Sequence, residues 1–312
     1  MNKQRRLFLN QASLMAGFAL LDKPLTSIAS VSKQLYTLHS AQHAVTIYHT
    51  NDLHGKIDSV YDNLGGISNI KKLISKQETT GLLMDAGDFL ESSQSLSQHQ
   101  SMIRVMNGIG YHVATPGNQE LTLGQDYLAK LIPLMNFKLV NCNYQFERSL
   151  SSLINPYMII NTGKFKVGVT GVGHKLNNVI YNDAIESANK VASLLKEREK
   201  CDLVICLSHL GYQQDGGKPD NQMLARQSEH IDMIISGHNR KLLNGSMILH
   251  NKLKHEVILS QTAWDGLMVG RTVFGFENGK QKHSIKSKYF IPGQNPGQSF
   301  AESFSMLEEN AT

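Results

Sequence analysis

Along most of the chain, short apolar runs alternate with longer stretches whose apolar positions recur every three or four residues, the pattern of a layered α/β domain. VTIYH (45–49) predicts a strand. GGISNIKKLISKQ (65–77) sets Ile67, Ile70, Leu73 and Ile74 at helical spacing behind a turn at its two glycines. LLMDAGD (82–88) predicts a strand ending in a polar turn, residues 98–109 a helix with Met102, Val105, Met106 and Ile109 on one face, and HVATPGN (112–118) a strand running into a Pro-Gly turn. GQDYLAKLIPLM (124–135) predicts a helix and FKLVNCN (137–143) a strand. YMIIN (157–161) and KFKVGVTGVG (164–173), parted by Thr162 and Gly163, predict a hairpin. AIESANKVASLLKEREK (184–200) predicts an amphipathic helix, DLVICLSH (202–209) a strand, residues near 221–230 a helix and IDMIISGH (231–238) a strand. The later runs EVILS, LMVGRTVFGF and KHSIKSKYF are richer in strand pattern. Units of strand and helix followed by antiparallel strands predict a mixed sheet or a pair of stacked sheets.

Composition narrows this picture little. The 312 residues are 41% apolar and 18% charged, with a net charge of +5, values of a globular chain long enough to bury a large core. The lysines are scattered and not interleaved with aromatics, so no nucleic-acid polymer is expected as a partner. The first residues have a separate logic. Lys3, Arg5 and Arg6 precede the apolar stretch ASLMAGFALL, too short for a permanent membrane span, and SIAS (27–30) offers small residues for cleavage. Residues 1–35 therefore predict an export signal, and RRLFLN resembles the twin-arginine motif, which places the mature chain in the periplasm or outside the cell. A main domain over 40–290 and a tail over 291–312 follow from the pattern. The three cysteines, Cys142, Cys201 and Cys206, make no disulfide framework and are expected to be small buried hydrophobes.

The candidate chemistry lies where the apolar runs stop. Asp52 and His54 follow the first, Asp88 the second and Asn118 the third, while His209 and His238 follow two later ones. In a layered α/β fold the C-terminal ends of strands lie along one edge, so these residues are expected to meet in one crevice. Taken singly, an Asp or Asn there is more often a helix cap, and a lone His more often a satisfied structural group than a ligand. Capping does not call for histidine, however, and imidazole with carboxylate and amide oxygen suits a divalent ion such as Zn, Mn or Fe.

The blocks NDLHG (51–55), DAGD (85–88), GNQE (117–120), SHLG (208–211) and GHNR (237–240), in that order, resemble those of the calcineurin-like metallophosphoesterases. They are most similar to the metal-binding domain of periplasmic 5′-nucleotidases, whose blocks run close to NDxHG, GD, GNHE, H and GHxH or GHxQ. The resemblance spans residues 44 to 275. It implies a four-layer α-β-β-α sandwich of two stacked mixed sheets flanked by helices, with two divalent metal ions between the sheet edges. It implies that Asp52 and His54 bind one ion, that Asp88 bridges both, and that Asn118, His209 and His238 bind the second. Such a pair clamps phosphate oxygens, lowers the pKa of a bound water to supply hydroxide, and offsets charge on the leaving oxygen. The implied activity is hydrolysis of a small phosphoester or nucleotide, as in 5′-nucleotidase-like phosphomonoesterases of nucleotide catabolism.

Two positions depart from the pattern. Histidine in GNHE is Gln119 here, and the aspartate that would pair with it is Thr122; glutamine donates a hydrogen bond but delivers no proton, where an acid would contribute about a hundred- to ten-thousand-fold. The last position of GHxH is Arg240, a fixed cation that cannot ligate a metal but can clamp a phosphate or turn outward. Asn118, Gln119 and Arg240 are the candidate catalytic residues. The 5′-nucleotidases also carry a second, nucleobase-stacking domain, for which the chain ending at Thr312 leaves no room, so a separate chain could supply it. The alternatives are a weakened, non-catalytic half of a two-chain nucleotidase, or a cyclic-nucleotide phosphodiesterase.

Overall fold

The computed structural model describes residues 43–277 and 281–311; the expected export signal lies outside the described residues. In chain order the strands are β1 (Ala44–Thr50), β2 (Leu82–Asp85), β3 (Val113–Ala114), β4 (Lys138–Leu139), β5 (Tyr144–Gln145), β6 (Tyr157–Thr162), β7 (Phe165–Gly173), β8 (Ile180–Tyr181), β9 (Leu203–His209), β10 (Met233–Ser236), β11 (Met247–His250), β12 (Glu256–Gln261), β13 (Val269–Phe276) and β14 (Lys282–Phe290). Two six-stranded mixed sheets form, in the orders β14-β13-β1-β2-β3-β4 and β11-β12-β10-β9-β7-β6, while β5 and β8 pair separately. In the first sheet β1, β2, β3 and β4 run parallel; in the second β7, β9, β10 and β12 do.

Alternation along the strands builds the layers. Val45 and Ile47 of β1, Leu82 and Met84 of β2, Val167 and Val169 of β7, Leu203, Ile205 and Leu207 of β9, and Met233 and Ile235 of β10 share one fully buried cluster between the sheets. Their neighbours point the other way. Tyr48 and Leu83 pack with Ile67, Ile70, Met102, Ile103 and Met106 of the helices Ile67–Ser75 and Leu96–Ile109. Val204, Cys206 and Ile234 pack with Ala184, Ala188 and Leu224 of the helices Ala184–Ser193 and Asn221–Gln227. Strands covered on both faces need apolar residues at every position, so they read as continuous runs rather than strict alternation. Each such Val, Ile or Leu contributes about 1.5–3 kcal/mol relative to exposure. The result is the four-layer α-β-β-α sandwich.

Several elements differ from the expectation. The strands expected over 112–118 and 137–143 shrink to two residues each: the segment after β3 leaves the ladder for the loop that carries Asn118, and after β4 Val140 bridges Asn155 and Cys142 N–H donates to Gly171 O at 2.8 Å. The helix expected at 98–109 begins at Leu96, where Ser95 and Gln98 form a capping box. The helix expected over 184–200 is α-helical only to Ser193 and widens into a π turn at Leu194–Arg198. Cys201 and Cys206 are buried, whereas Cys142 is only partly so. A last helix, Phe300–Ala311, sets Phe304 and Leu307 against Trp264, Leu267 and Ile291. Among the described residues no helix is long and apolar enough to cross a membrane.

Candidate metal centre

All the parallel strands of one sheet end on the same side, and the loops beyond β1, β2, β3, β9 and β10 meet there. The loops after β1 and β2 go on pairing beyond the strands, with Asp52 N–H donating to Gly87 O at 2.9 Å, His54 N–H to Asp88 O at 2.9 Å and Gly55 N–H to Phe89 O at 3.0 Å. That zipper turns Asp52 and Asp88 into one space. Asp52, His54 and Asp88, all buried, bring ligand atoms within 4.8 Å of one another. Asp88 Oδ2 lies 3.2 Å from His209 Nε2, which is 3.3 Å from Asn118 Oδ1, and Asn118 Oδ1 is 3.1 Å from His238 Nδ1. The six residues thus form one continuous cluster from five loops.

The backbone here is held in conformations that side-chain-bearing residues avoid. Of the eight non-glycine residues with positive φ among those described, five belong to the cluster or touch it: Asp52, His54, Asp88, His238 and Asp265. Such conformations cost on the order of 1 kcal/mol or more each and persist only where the surroundings impose them. The loops leave no spare volume either. A Cβ on Gly117 would stand 2.2 Å from Asp88 Oδ1 and 2.7 Å from His209 Nε2, so only glycine lets the third loop come this close.

The hydrogen bonds around the cluster orient its nitrogen lone pairs inward. His54 Nδ1 is 2.7 Å from Asp265 Oδ1, and His209 Nδ1 is 2.8 Å from the carbonyl of Ala86. A ring nitrogen facing a carboxylate or carbonyl carries the proton, which leaves Nε2 of each neutral ring as an acceptor. His209 Nε2 then faces the oxygens of Asp88 and Asn118, neither of which donates. The conflict is removed by a positive charge at the centre. For a lone protein that charge is a proton: burial disfavours a charged His209, but the carboxylates of Asp88 and Asp52 outweigh it and push its pKa up to about 10. Among the described residues the ion-pair partners of Asp88 and Asp265 are histidines, with no Lys or Arg neutralising either acid. Donor atoms roughly 3.0–3.5 Å apart are also what metal–ligand bonds of ~2.1 Å produce around one ion. The residues fit a divalent pair in donor type, tautomer, spacing and charge.

Other groups of the site escaped the sequence reading. Glu120 is buried and accepts from the N–H groups of Gly117 at 2.8 Å, Asp88 at 3.0 Å and Leu90 at 2.8 Å, which clamps two ligand loops together; burial and nearby Asp88 raise its pKa to about 7. Asp265 follows β12, and its N–H also donates to Asp52 O at 2.7 Å. His174 follows β7, and its ring centroid lies 4.0 Å from that of His238. Asp265 and His174 carry the strand-end signal that marked the other six. Thr122 is not the partner of Gln119: its hydroxyl donates to Asn118 O at 2.7 Å inside the short helix Asn118–Thr122. Arg240 is exposed, in contrast to the buried acids of the cluster.

A sequence model of the calcineurin-like phosphoesterases matches residues 45–239, the segment that supplies all six clustered residues. The chain belongs to that family. Among curated relatives, the 5′-nucleotidase of Vibrio cholerae is 27% identical over 274 residues, covering 76% of this chain and 49% of its own. The snake venom 5′-nucleotidase of Gloydius brevicauda is 29% identical over 226 residues, covering 64% of this chain and 37% of its own. The chain therefore spans about half the length, or less, of these relatives. Of solved structures, a 5′-nucleotidase precursor from Thermus thermophilus superposes with a TM-score of 0.71 at 24% identity, covering 86% of this chain and 59% of that one. The calcineurin-like phosphoesterase YfkN from Bacillus subtilis superposes at 0.64 and 24%, covering 86% and 97%. At these identities the structures speak for the fold, that of two stacked sheets within this family.

Proposed function

We propose that this chain is a metal-dependent phosphoester hydrolase acting on small substrates of the nucleotide class, as the 5′-nucleotidase relatives suggest. The observation that carries the reading is the arrangement of Asp88, Asn118, His209 and His238, whose nitrogen and oxygen atoms follow one another at 3.1–3.3 Å in one cluster with Asp52 and His54. Asp52, His54 and Asp88 would hold one ion, and Asp88, Asn118, His209 and His238 the other. Bound there, two dications supply Lewis acidity to phosphoryl oxygens and lower the pKa of water. The protein's own part is orientation: Asp265 and Ala86 fix the ring tautomers, Glu120 fixes the loops, and burial excludes competing water from the acids.

The test is metal analysis and phosphate release by the full chain with Mn or Zn. Close to two ions per chain, with turnover of a nucleotide abolished by a chelator and restored by metal, is the expected result. Fewer than about one ion and no turnover would sink it and favour the second reading, a non-catalytic half that works with a separate nucleotide-binding chain. Gln119 and Arg240 favour that second reading, since each stands where the resembled blocks carry a proton donor or a ligand. We also propose export to the periplasm or beyond through the twin-arginine-like start. Cell fractionation of Arg5→Lys with Arg6→Lys should find the chain retained inside; unchanged export would refute that route.

A further inference from the structure

The six clustered residues come from the loops after β1, β2, β3, β9 and β10, and the loop after β7 brings a further imidazole against them, that of His174, which lies in none of the five sequence blocks. Its ring centroid is 4.0 Å from that of His238, with 30° between the ring planes, and 6.1 Å from that of His209. At that separation and tilt the His174 and His238 rings lie face against face. His174 is itself tied down. Its Nδ1 is 3.2 Å and its backbone nitrogen 3.3 Å from the carbonyl oxygen of His209, an atom that only accepts, so Nδ1 carries the proton. The ring is thus fastened to the backbone of one clustered histidine while it covers the ring of another.

The three clustered histidines are held in different ways. His54 has Asp265 behind its Nδ1, and His209 has the Ala86 carbonyl behind its own. His238 has no such support: among the described residues its ring has one hydrogen-bond partner, Asn118 Oδ1 at 3.1 Å from Nδ1, which is itself a member of the cluster. The His238 backbone is fixed, at φ 92° and with its N–H on both oxygens of Asp52 at 3.1 Å. A fixed backbone does not aim the ring, however, because the imidazole torsion is broad and roughly two-fold.

We propose that His174 is a positioning residue: its ring, stacked on the face of His238, holds that imidazole with Nδ1 turned toward Asn118 and so tightens the second of the two ion sites. The inference rests on the hydrolase reading above, whose second group of donors is Asp88, Asn118, His209 and His238. Preorganisation is the physical reason. A ligand ring free to turn gives up that freedom on binding an ion, whereas a ring already confined gives up less and binds more tightly. The effect is local, because the hydrogen bonds and ring contacts of His174 are made with His209 and His238 and not with the first group of donors.

The experiment is a zinc titration of the full chain, stripped of metal, in competition with a chromophoric chelator, on wild type, His174→Ala and His174→Phe. It reads binding and not turnover. His174→Ala should weaken the binding of one ion by about tenfold, where the upper range of an aromatic pair meets the lower range for a residue behind a ligating histidine, and leave the other affinity unchanged. His174→Phe keeps a flat ring and lacks the nitrogens, and should stay within about twofold of wild type if the ring face is what matters. A Phe variant as weak as the Ala variant would overturn the inference, since a nitrogen and not the stacked face would then be at work. Equal weakening of both ions in His174→Ala, or no weakening of either, would overturn this inference alone. A wild type that binds fewer than about one ion would overturn the hydrolase reading and this inference with it.

Discussion

At the scale of single residues the centre is built by orientation more than by ligand identity. His54 offers Nε2 inward only because Asp265 holds Nδ1 at 2.7 Å. Removing a carboxylate behind a ligating histidine typically costs ten- to a hundred-fold in metal affinity or activity. Asp265→Ala is therefore expected to weaken metal binding by that order, read as the metal concentration needed to half-restore phosphate release after chelation; an unchanged titration would show that Asp265 only supports the backbone. Arg240 illustrates the reverse case. Its charge cannot replace a ligand, and it is exposed where Asp52, His54 and Asp88, which make up the first group of donors, are buried.

At the scale of elements, the cluster exists because loops are stapled to their neighbours rather than left to wander. The segment after His209 shows how. Asp220 is buried and caps the helix Asn221–Gln227 by accepting from Met223 N–H at 2.7 Å, while its other oxygen accepts from Gln214 N–H at 3.0 Å. One side chain thus anchors the helix start and the loop between it and the ligand. Losing a cap of this kind costs about 0.5–2 kcal/mol, and the second bond places this one toward the upper end. Asp220→Ala should lower the melting temperature by several degrees in calorimetry while metal stoichiometry stays unchanged. A melting point equal to the wild type would refute the anchoring role.

At the scale of the whole molecule, two stacked sheets bury groups that would titrate freely in water. His49 of β1 is fully buried, its Nε2 2.9 Å from Ser260 Oγ of the facing sheet, and room for its ring exists because position 270 is glycine. Burial lowers its pKa from 6.5 to about 3, so between those values the unfolded chain binds a proton that the folded chain refuses. Stability is complete above pH 6.5 and is lost as pH falls toward 3, at about 1.4 kcal/mol per pH unit for this one group. Denaturant melts of chelator-treated protein at pH 7 and 5 should show that fall, and His49→Gln should reduce its slope. Equal slopes in variant and wild type would show that His49 is not the group responsible.

The layered α/β class, the order of the main strands and the long helices were legible in the chain, because a strand buried on both faces must be apolar throughout and a helix covering a sheet must repeat its apolar positions. The family blocks were legible too, since they stand at strand ends. Short strands such as β3 and β4, the π turn at Leu194–Arg198 and the edge strand β11 were not: their bounds depend on which loops leave the ladder, and that is decided by contacts between distant segments. The same holds inside the site. That Asp265 stands behind His54, 211 positions away, and that Ser92 rather than Thr122 meets Gln119, follows from how two sheets close over each other. Local patterning determines which residue types end each strand. Only the packed molecule decides which of them face one another, because direction and distance come from the backbone of neighbours that lie far apart along the chain.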